Sequence, residues 1–306
     1  VILVVCPNLA VDRTLELRRL EIGRVHRARR AELRAGGKGV NATRALTGLG
    51  ETVRLLGFAG GPSGACIASG LKSEGLAFDL VPMEADSRTC TILLEPEGVA
   101  TVVNEAGPTL EDASTLLTRF GALLPEANAV AFMGSLLPGL RKGLYAEMIE
   151  RCHDAGVPSL VDTSGSALAP ALEARPTIIK PNQSEAEVLL GSPLRSMESI
   201  AAAAGELLSL GAKIAVITLG SQGVVASTRE LTARAYLSDR TDLSMGNPTG
   251  AGDALAAGLL AGLVRAYPFE DTVRLGVATA TASLAEGYGR IRSRDVRVEA
   301  VRFERL

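Results

Sequence analysis

Short, predominantly apolar runs recur along the chain at 53–58, 129–133, 159–161, 177–179 and 214–218, as expected of buried parallel strands. Between or beside them, at 41–49, 63–74, 142–155, 184–190 and 199–210, apolar residues return with helical spacing, and several of these segments close on glycine. The opening VILVVC reads as a first strand, and Glu111-Asp112-Ala113 marks a further helix start, because acids in a first turn suit the helix dipole. Strand alternating with helix predicts an α/β fold with a mostly parallel sheet covered on both faces. Two β-compatible segments, 14–20 and 90–103, break the rhythm because neither has a helix of its own. The second is expected to form a hairpin about Glu95-Pro96-Glu97-Gly98, and together they read as a small lid-like sheet from segments near 13–34 and 88–105. No repeat, low-complexity tract or long linker intervenes, so residues 1–306 are expected to form one domain with a small elaboration.

Charge narrows the function. With 32 basic and 34 acidic residues the net charge is −2, which offers no electrostatic footprint for nucleic acid or an anionic membrane. No apolar run approaches the roughly 20 residues of a membrane span. The start lacks a secretory pattern, so a cytoplasmic protein acting on a small molecule is expected. Cys6, Cys66, Cys90 and Cys152 form no C-x-x-C, and only His26 and His153 could join them on a metal; they read as reduced, structural thiols.

Three stretches carry candidate chemistry. In Ala35-Gly36-Gly37-Lys38-Gly39-Val40-Asn41, three glycines in four residues allow close backbone approach to a ligand ahead of a helix start, while Lys38 and Asn41 add a cation and an amide. A flexible turn would read the same way. The stretch lacks both the P-loop spacing and the dinucleotide G-x-G-x-x-G. Next, Gly250-Ala251-Gly252-Asp253 opens an apolar helix at 254–264 and should present successive N–H groups as an anion nest. Asp253 could then orient and deprotonate an attacking alcohol as phosphate moves, or it could merely cap the helix. The third stretch, Lys180-Pro181-Asn182-Gln183-Ser184-Glu185, follows a strand, where open α/β sheets bind ligands. Asn182 and Glu185 could hold a hydrated Mg²⁺, or could simply cap a helix.

Taken together, these stretches resemble the ribokinase (PfkB) family of ATP-dependent sugar kinases. The likeness runs through Asp12, AGGKGVNATRALTGLG at 35–50, MGSLLPG at 133–139, KPNQSE at 180–185, TLGSQG at 218–223 and NPTGAGDALAAG at 247–258. It implies a ribokinase-like three-layer α/β/α sandwich with a small β-sheet lid, using ATP and Mg²⁺. By the same resemblance Asp253 corresponds to the catalytic base, with Gly250, Ala251 and Gly252 as the anion hole. Asn182 and Glu185 correspond to the metal-and-phosphate motif, and Thr218, Gly220 and Gly223 to the nucleotide turn. Asp12, Gly36, Gly37 and Asn41 correspond to positions that grip the sugar. Lids of this kind often pair between subunits, so a homodimer is expected. Two departures stand out: Asn247 occupies a position where many members carry Asp, which puts a monovalent-cation site in doubt, and Leu136-Leu137-Pro138 replaces a more usual proline pair.

Within that family, NLAVDRT at 8–14, GRVHRA at 23–28, SRTC at 87–90 and NEAGP at 104–108 are most similar to kinases of phosphorylated ketohexoses. Arg27, Lys38 and Arg88 are the cations expected to hold the acceptor's own phosphate. Asp12-Arg13-Thr14 leans toward fructose 1-phosphate as substrate, and Asn247-Pro248 toward tagatose 6-phosphate; the first is favoured. A nicotinamide-dependent oxidoreductase is disfavoured because Cys6-Pro7-Asn8-Leu9 supplies no dinucleotide fingerprint after the first strand. A non-catalytic sugar-sensing module would keep the fold, but the retained Asp253 argues against it.

Overall fold

The computed structural model describes residues 1–96, 99–238 and 247–306. Glu97 and Gly98 of the expected hairpin turn lie outside the described residues.

Buried apolar strands assemble one large sheet. In chain order its members are β1 (Ile2–Asn8), β4 (Val53–Gly60), β5 (Phe78–Met83), β8 (Ala129–Met133), β9 (Ser159–Asp162), β10 (Ile178–Ile179), β11 (Ile214–Thr218), β12 (Val224–Ser227), β13 (Thr232–Leu237) and β14 (Val301–Arg305). Their spatial order is β14-β13-β12-β11-β10-β9-β8-β1-β4-β5. The strands from β11 through β5 pair in parallel, while β12, β13 and β14 continue the sheet antiparallel.

β1 illustrates why a continuous apolar run becomes a central strand. Its successive side chains alternate between two cores, Ile2, Val4 and Cys6 on one face and Leu3 and Val5 on the other. The first core is shared with α1 (Lys38–Gly48), α2 (Gly61–Ser73), α8 (Ala251–Val264) and α9 (Phe269–Ser283). The second is shared with α3 (Ser114–Leu123), α4 (Leu144–Asp154), α5 (Leu168–Glu173), α6 (Gln183–Leu190) and α7 (Met197–Ser209). The result is the three-layer α/β/α architecture expected from the alternation. None of the described helices is long and apolar enough to cross a membrane.

A second sheet has the order β3-β2-β6-β7, with β2 (Ala10–Glu16), β3 (Arg30–Gly36), β6 (Arg88–Leu94) and β7 (Ala100–Asn104). β2 runs parallel to β6, and the outer pairs are antiparallel. The strand expected at 14–20 instead spans 10–16, because Ala10 already pairs with both Gly36 and Arg88. Its early start brings Asp12 into the sheet. The helix expected from 111 begins at Ser114, because Asp112 accepts hydrogen bonds from the Ser114 amide and hydroxyl in a turn just ahead of it.

α8 is apolar nearly all round, and the fold surrounds it with α1, α9 and the sheet. It lies so close to α9 that a Cβ on Gly258 would come within 2.7 Å of the Gly276 Cα and the Leu275 carbonyl. Gly258→Ala should therefore lower the urea unfolding free energy by about 1–3 kcal/mol through overpacking. Gly205→Ala, in α7 with nothing within 4 Å of the new methyl, should raise it by about 0.4–1 kcal/mol.

Candidate active site

Two cavities open against the first turn of α8. The first, about 240 Å³, has Asp12, Gly37, Lys38, Asn41, Arg88 and Asp253 in its wall. The second, about 350 Å³ and largely apolar, has Thr218, Gly220, Gly223, Ala251, Gly252 and Leu255 in its wall. Gly250 and Asp253 face one cavity while Ala251 and Gly252 face the other, so a single helical turn is the partition between them.

That turn is held by local stereochemistry. Gly250 has φ +82° and ψ 2°, the geometry of the third residue of a type II turn, and the Ala251 N–H closes the turn on the Pro248 carbonyl at 3.1 Å. A side chain at Gly250 would collide with the Gly289 amide at 2.7 Å. The expected anion hole is corrected in one respect, since the Ala251 N–H is already spent on Pro248. Among the described residues, the N–H groups of Gly250, Gly252 and Asp253 have no protein acceptor. Asp253, in the first turn of α8, does not cap the helix. Its Oδ2 accepts a hydrogen bond from Asn41 Nδ2 at 2.9 Å, across 212 residues of sequence.

The glycine-rich entry to α1 allows close packing as well as exposing backbone. A Cβ on Gly36 would lie 2.1 Å from the Asp12 carboxyl carbon, so only glycine lets Asp12 rest there. Gly37, at φ +98°, then turns the chain into α1. Arg88 reaches the first cavity from the small sheet, with Nε and Nη2 on the Asn8 carbonyl at 3.3 and 3.2 Å and Nη1 on the Glu105 carbonyl at 3.0 Å. A guanidinium has five donors, so two remain for a ligand. Arg27 is brought to neither cavity: it lies on the exposed loop between β2 and β3, where the chain leaves the sheet after Glu16 and returns at Arg30.

Asn182 and Glu185 also line neither cavity, and they form the capping box that the sequence allowed as an alternative. Asn182 Oδ1 accepts from the Glu185 amide at 2.8 Å, and Glu185 Oε2 accepts from the Asn182 amide at 2.9 Å. Each still has acceptor capacity, but no group of three or more His, Cys, Asp or Glu among the described residues could hold a metal.

Sequence reasoning missed Asp162 and assigned no role to Lys180. Asp162, 1% exposed at the carboxyl end of β9, receives Lys38 Nζ at 2.6 Å and Lys180 Nζ at 2.9 Å. The available signal was a carboxylate ending a parallel strand, where such sheets place their ligand sites. Burial alone would raise the Asp162 pKa, yet the two ammonium groups outweigh it and hold the value below the ordinary carboxylate range. Lys180 also stands 3.9 Å from where a Cβ on Gly252 would be, beside the partition. On the apolar side, Val277, Ala280, Thr281 and Leu284 of the α9 region were likewise unforeseen, because sequence pattern marks them only as one face of a helix.

Burial, followed by the Asp162 charge, pushes the Asp253 pKa up to about 6, against the opposing pull of Lys38, the Asn41 amide and Lys180. Burial likewise lifts Asp12 to about 6, with Arg44 the largest opposing influence. A carboxyl raised above its ordinary 3.8 favours the fold at low pH, and that contribution is lost as pH rises through about 6. Asp253→Asn should thus raise the urea unfolding free energy at pH 8 by about 1–3 kcal/mol. The gain should shrink toward pH 4, as read from unfolding curves at each pH.

A family model described as pfkB family carbohydrate kinase matches residues 6–294. Among solved structures, phosphofructokinase-2 from Escherichia coli in complex with substrates and products is similar, with TM-score 0.86, 24% identity and 96% of each chain covered. A protein described as a possible 1-phosphofructokinase from Thermotoga maritima superposes with TM-score 0.91 at 22% identity, covering 100% of this chain and 99% of its own. The tetrameric inhibited form of the Escherichia coli enzyme gives TM-score 0.84 at 24% identity, again over 96% of both chains. These likenesses establish the ribokinase-like fold. The span of the family match, together with a glycine-walled acid in one cavity and a helical turn shared with a second, assigns this chain to the pfkB family of carbohydrate kinases.

Proposed function

We propose that the protein transfers the γ-phosphoryl group of ATP to a hydroxyl of a phosphorylated ketohexose, with fructose 1-phosphate yielding fructose 1,6-bisphosphate as the favoured reaction. The observation that carries this reading is the partition itself: one turn of α8 offers N–H groups with no acceptor among the described residues between a polar and an apolar cavity, with Asp253 on the polar side. The sugar occupies the polar cavity, and the adenine base lies on the apolar one beside Gly220 and Gly223. The small sheet, four of whose strand residues besides Asp12 and Arg88 line the polar cavity, closes over the sugar as a lid.

In the proposed reaction, Asp12 and Asn41 orient the sugar hydroxyls, while Arg88 and Lys38 face the acceptor's own phosphate. Asp253 takes the proton of the attacking hydroxyl as the new O–P bond forms and the bond to ADP breaks. The Gly252 and Asp253 amides, with Lys180 beside them, meet the charge on the moving group. Glu185 and Asn182 would hold an Mg²⁺ largely through its waters, since two side chains supply too few ligands for an ion bound by protein alone. When bound, that ion neutralises phosphate charge. Asp253 accepts from Asn41 and caps no helix end, which favours catalysis over a sugar-sensing role.

The assembly is proposed to be a homodimer through the small sheet and its loop. Ile22, Val25, Leu33 and Val103 are exposed there, an apolar set that a second copy would cover. Analytical ultracentrifugation should give a dimer that Leu33→Asp with Val103→Asp converts to monomer.

The substrate is tested by ADP release over fructose 1-phosphate, fructose 6-phosphate, tagatose 6-phosphate, fructose and ribose. The highest kcat/KM is expected with fructose 1-phosphate, and a preference for an unphosphorylated sugar would overturn the acceptor class. Asp253→Asn should leave the KM for ATP nearly unchanged and lower kcat by about 10²–10⁴. In the unmodified enzyme, kcat should fall as pH drops through about 6, where Asp253 takes up its proton.

A further inference from the structure

Asn41 and Arg44 stand three residues apart on α1 and so share a face. Arg44 is buried, and every nitrogen of its guanidinium is engaged. Nε and Nη2 fork onto Glu74 Oε2 and Oε1 at 2.7 and 2.8 Å, and Nη2 also reaches the Ala35 carbonyl at 2.7 Å. Nη1 donates to Asn41 Oδ1 at 3.1 Å and to the Tyr288 carbonyl at 3.5 Å. Arg290 Nη2 also lies 3.4 Å from Glu74 Oε2. A planar group held at all three nitrogens cannot turn away.

This has a consequence for Asn41. An amide can present either its oxygen or its NH2 in a given direction, but a guanidinium only donates. Asn41 must therefore turn Oδ1 toward Arg44, which aims its NH2 at Asp253 Oδ2, 2.9 Å away. In the reversed orientation two donors would meet at Arg44 and two acceptors at Asp253. Glu74, Arg44, Asn41 and Asp253 thus form one directed chain from the half-buried rim of the fold to the acid on the partition.

We propose that Arg44, braced by Glu74, is a positioning residue for phosphoryl transfer: it locks the Asn41 amide so that Asp253 keeps Oδ2 bound and presents Oδ1 to the attacking hydroxyl. This rests on the reading of Asp253 as the base. Arg44 lines neither the sugar nor the nucleotide cavity, and its hydrogen-bonded route to Asp253 runs through Asn41. The other charged or titratable groups facing Asp253 come from separate elements: Lys38 on α1, Asp162 ending β9, Lys180 after β10, Cys6 on β1 and Asp12 on β2. Of these, Asp12 also lies in the field of Arg44 and is held down by it.

The test is the pH profile of kcat for Arg44→Met and Glu74→Gln, each compared with its urea unfolding midpoint. Arg44→Met should lower kcat at pH 7 about tenfold and move the acid limb to higher pH, because a freed amide no longer favours the ionised carboxylate. Glu74→Gln should shift both quantities the same way by less. It carries the test alone if Arg44→Met fails to fold. In an Asp253→Asn background, Arg44→Met should cause no additional loss of turnover. An unmoved acid limb in folded variants, or a further loss in that background, would overturn the proposal. Full turnover by Asp253→Asn alone would instead overturn the base assignment, and it is read separately.

Discussion

The constraint on which the site depends is the placement of the first turn of α8 between two cavities. Gly250 can adopt its left-handed conformation and pack against Gly289 only because it lacks a side chain. From there the helix runs inward between α1 and α9, in contact with α9 through Gly258 and Gly262. A helix buried on every side cannot rotate without tearing apolar contacts, so its N-terminal amides and Asp253 are fixed relative to the sheet. The chemistry proposed above would thus rest on a rigid element, and the small sheet supplies the opposite wall of the polar cavity.

A second constraint is charge kept in a confined space. Asp162, Lys38 and Lys180 bring one carboxylate and two ammonium groups together at the carboxyl ends of the strands, leaving a local excess of positive charge beside the partition. Burying such a set costs solvation, which its mutual attraction offsets only with good geometry. Asp253 and Asp12 lie on the other side of that balance, with carboxyls whose pKa values rise to about 6 because burial outweighs their cationic neighbours. Such an arrangement costs some stability, and it suits the proposed binding of an anion and uptake of a proton near neutrality.

Much of the scaffold was legible because buried parallel strands are written as short apolar runs. The strands at 129–133 and 214–218 match the expected bounds, and most helices begin or end within three residues of expectation. The misplaced start of β2 has a non-local cause. β2 begins at Ala10 rather than 14 because its pairing with β3 and β6 starts there. Register is a property of neighbours, and no local pattern encodes it. Among site residues, the glycine-bounded stretches were readable since positive φ and close approach demand glycine. Arg27 was misplaced because sequence proximity to a β-segment does not say which way a long loop carries a side chain.

From composition and pattern alone came the α/β class, the helix that Asp253 opens and the residue types available for phosphoryl transfer, since each follows from local spacing and backbone chemistry. Long-range approach had to come from the folded chain. The meeting of Asn41 with Asp253 joins segments 212 residues apart, and the convergence of Lys38 and Lys180 on Asp162 joins the start of α1 to the ends of two strands. Such contacts arise when the sheet brings its carboxyl edges together. Their partners are chosen by packing geometry, which leaves no periodic trace along the chain.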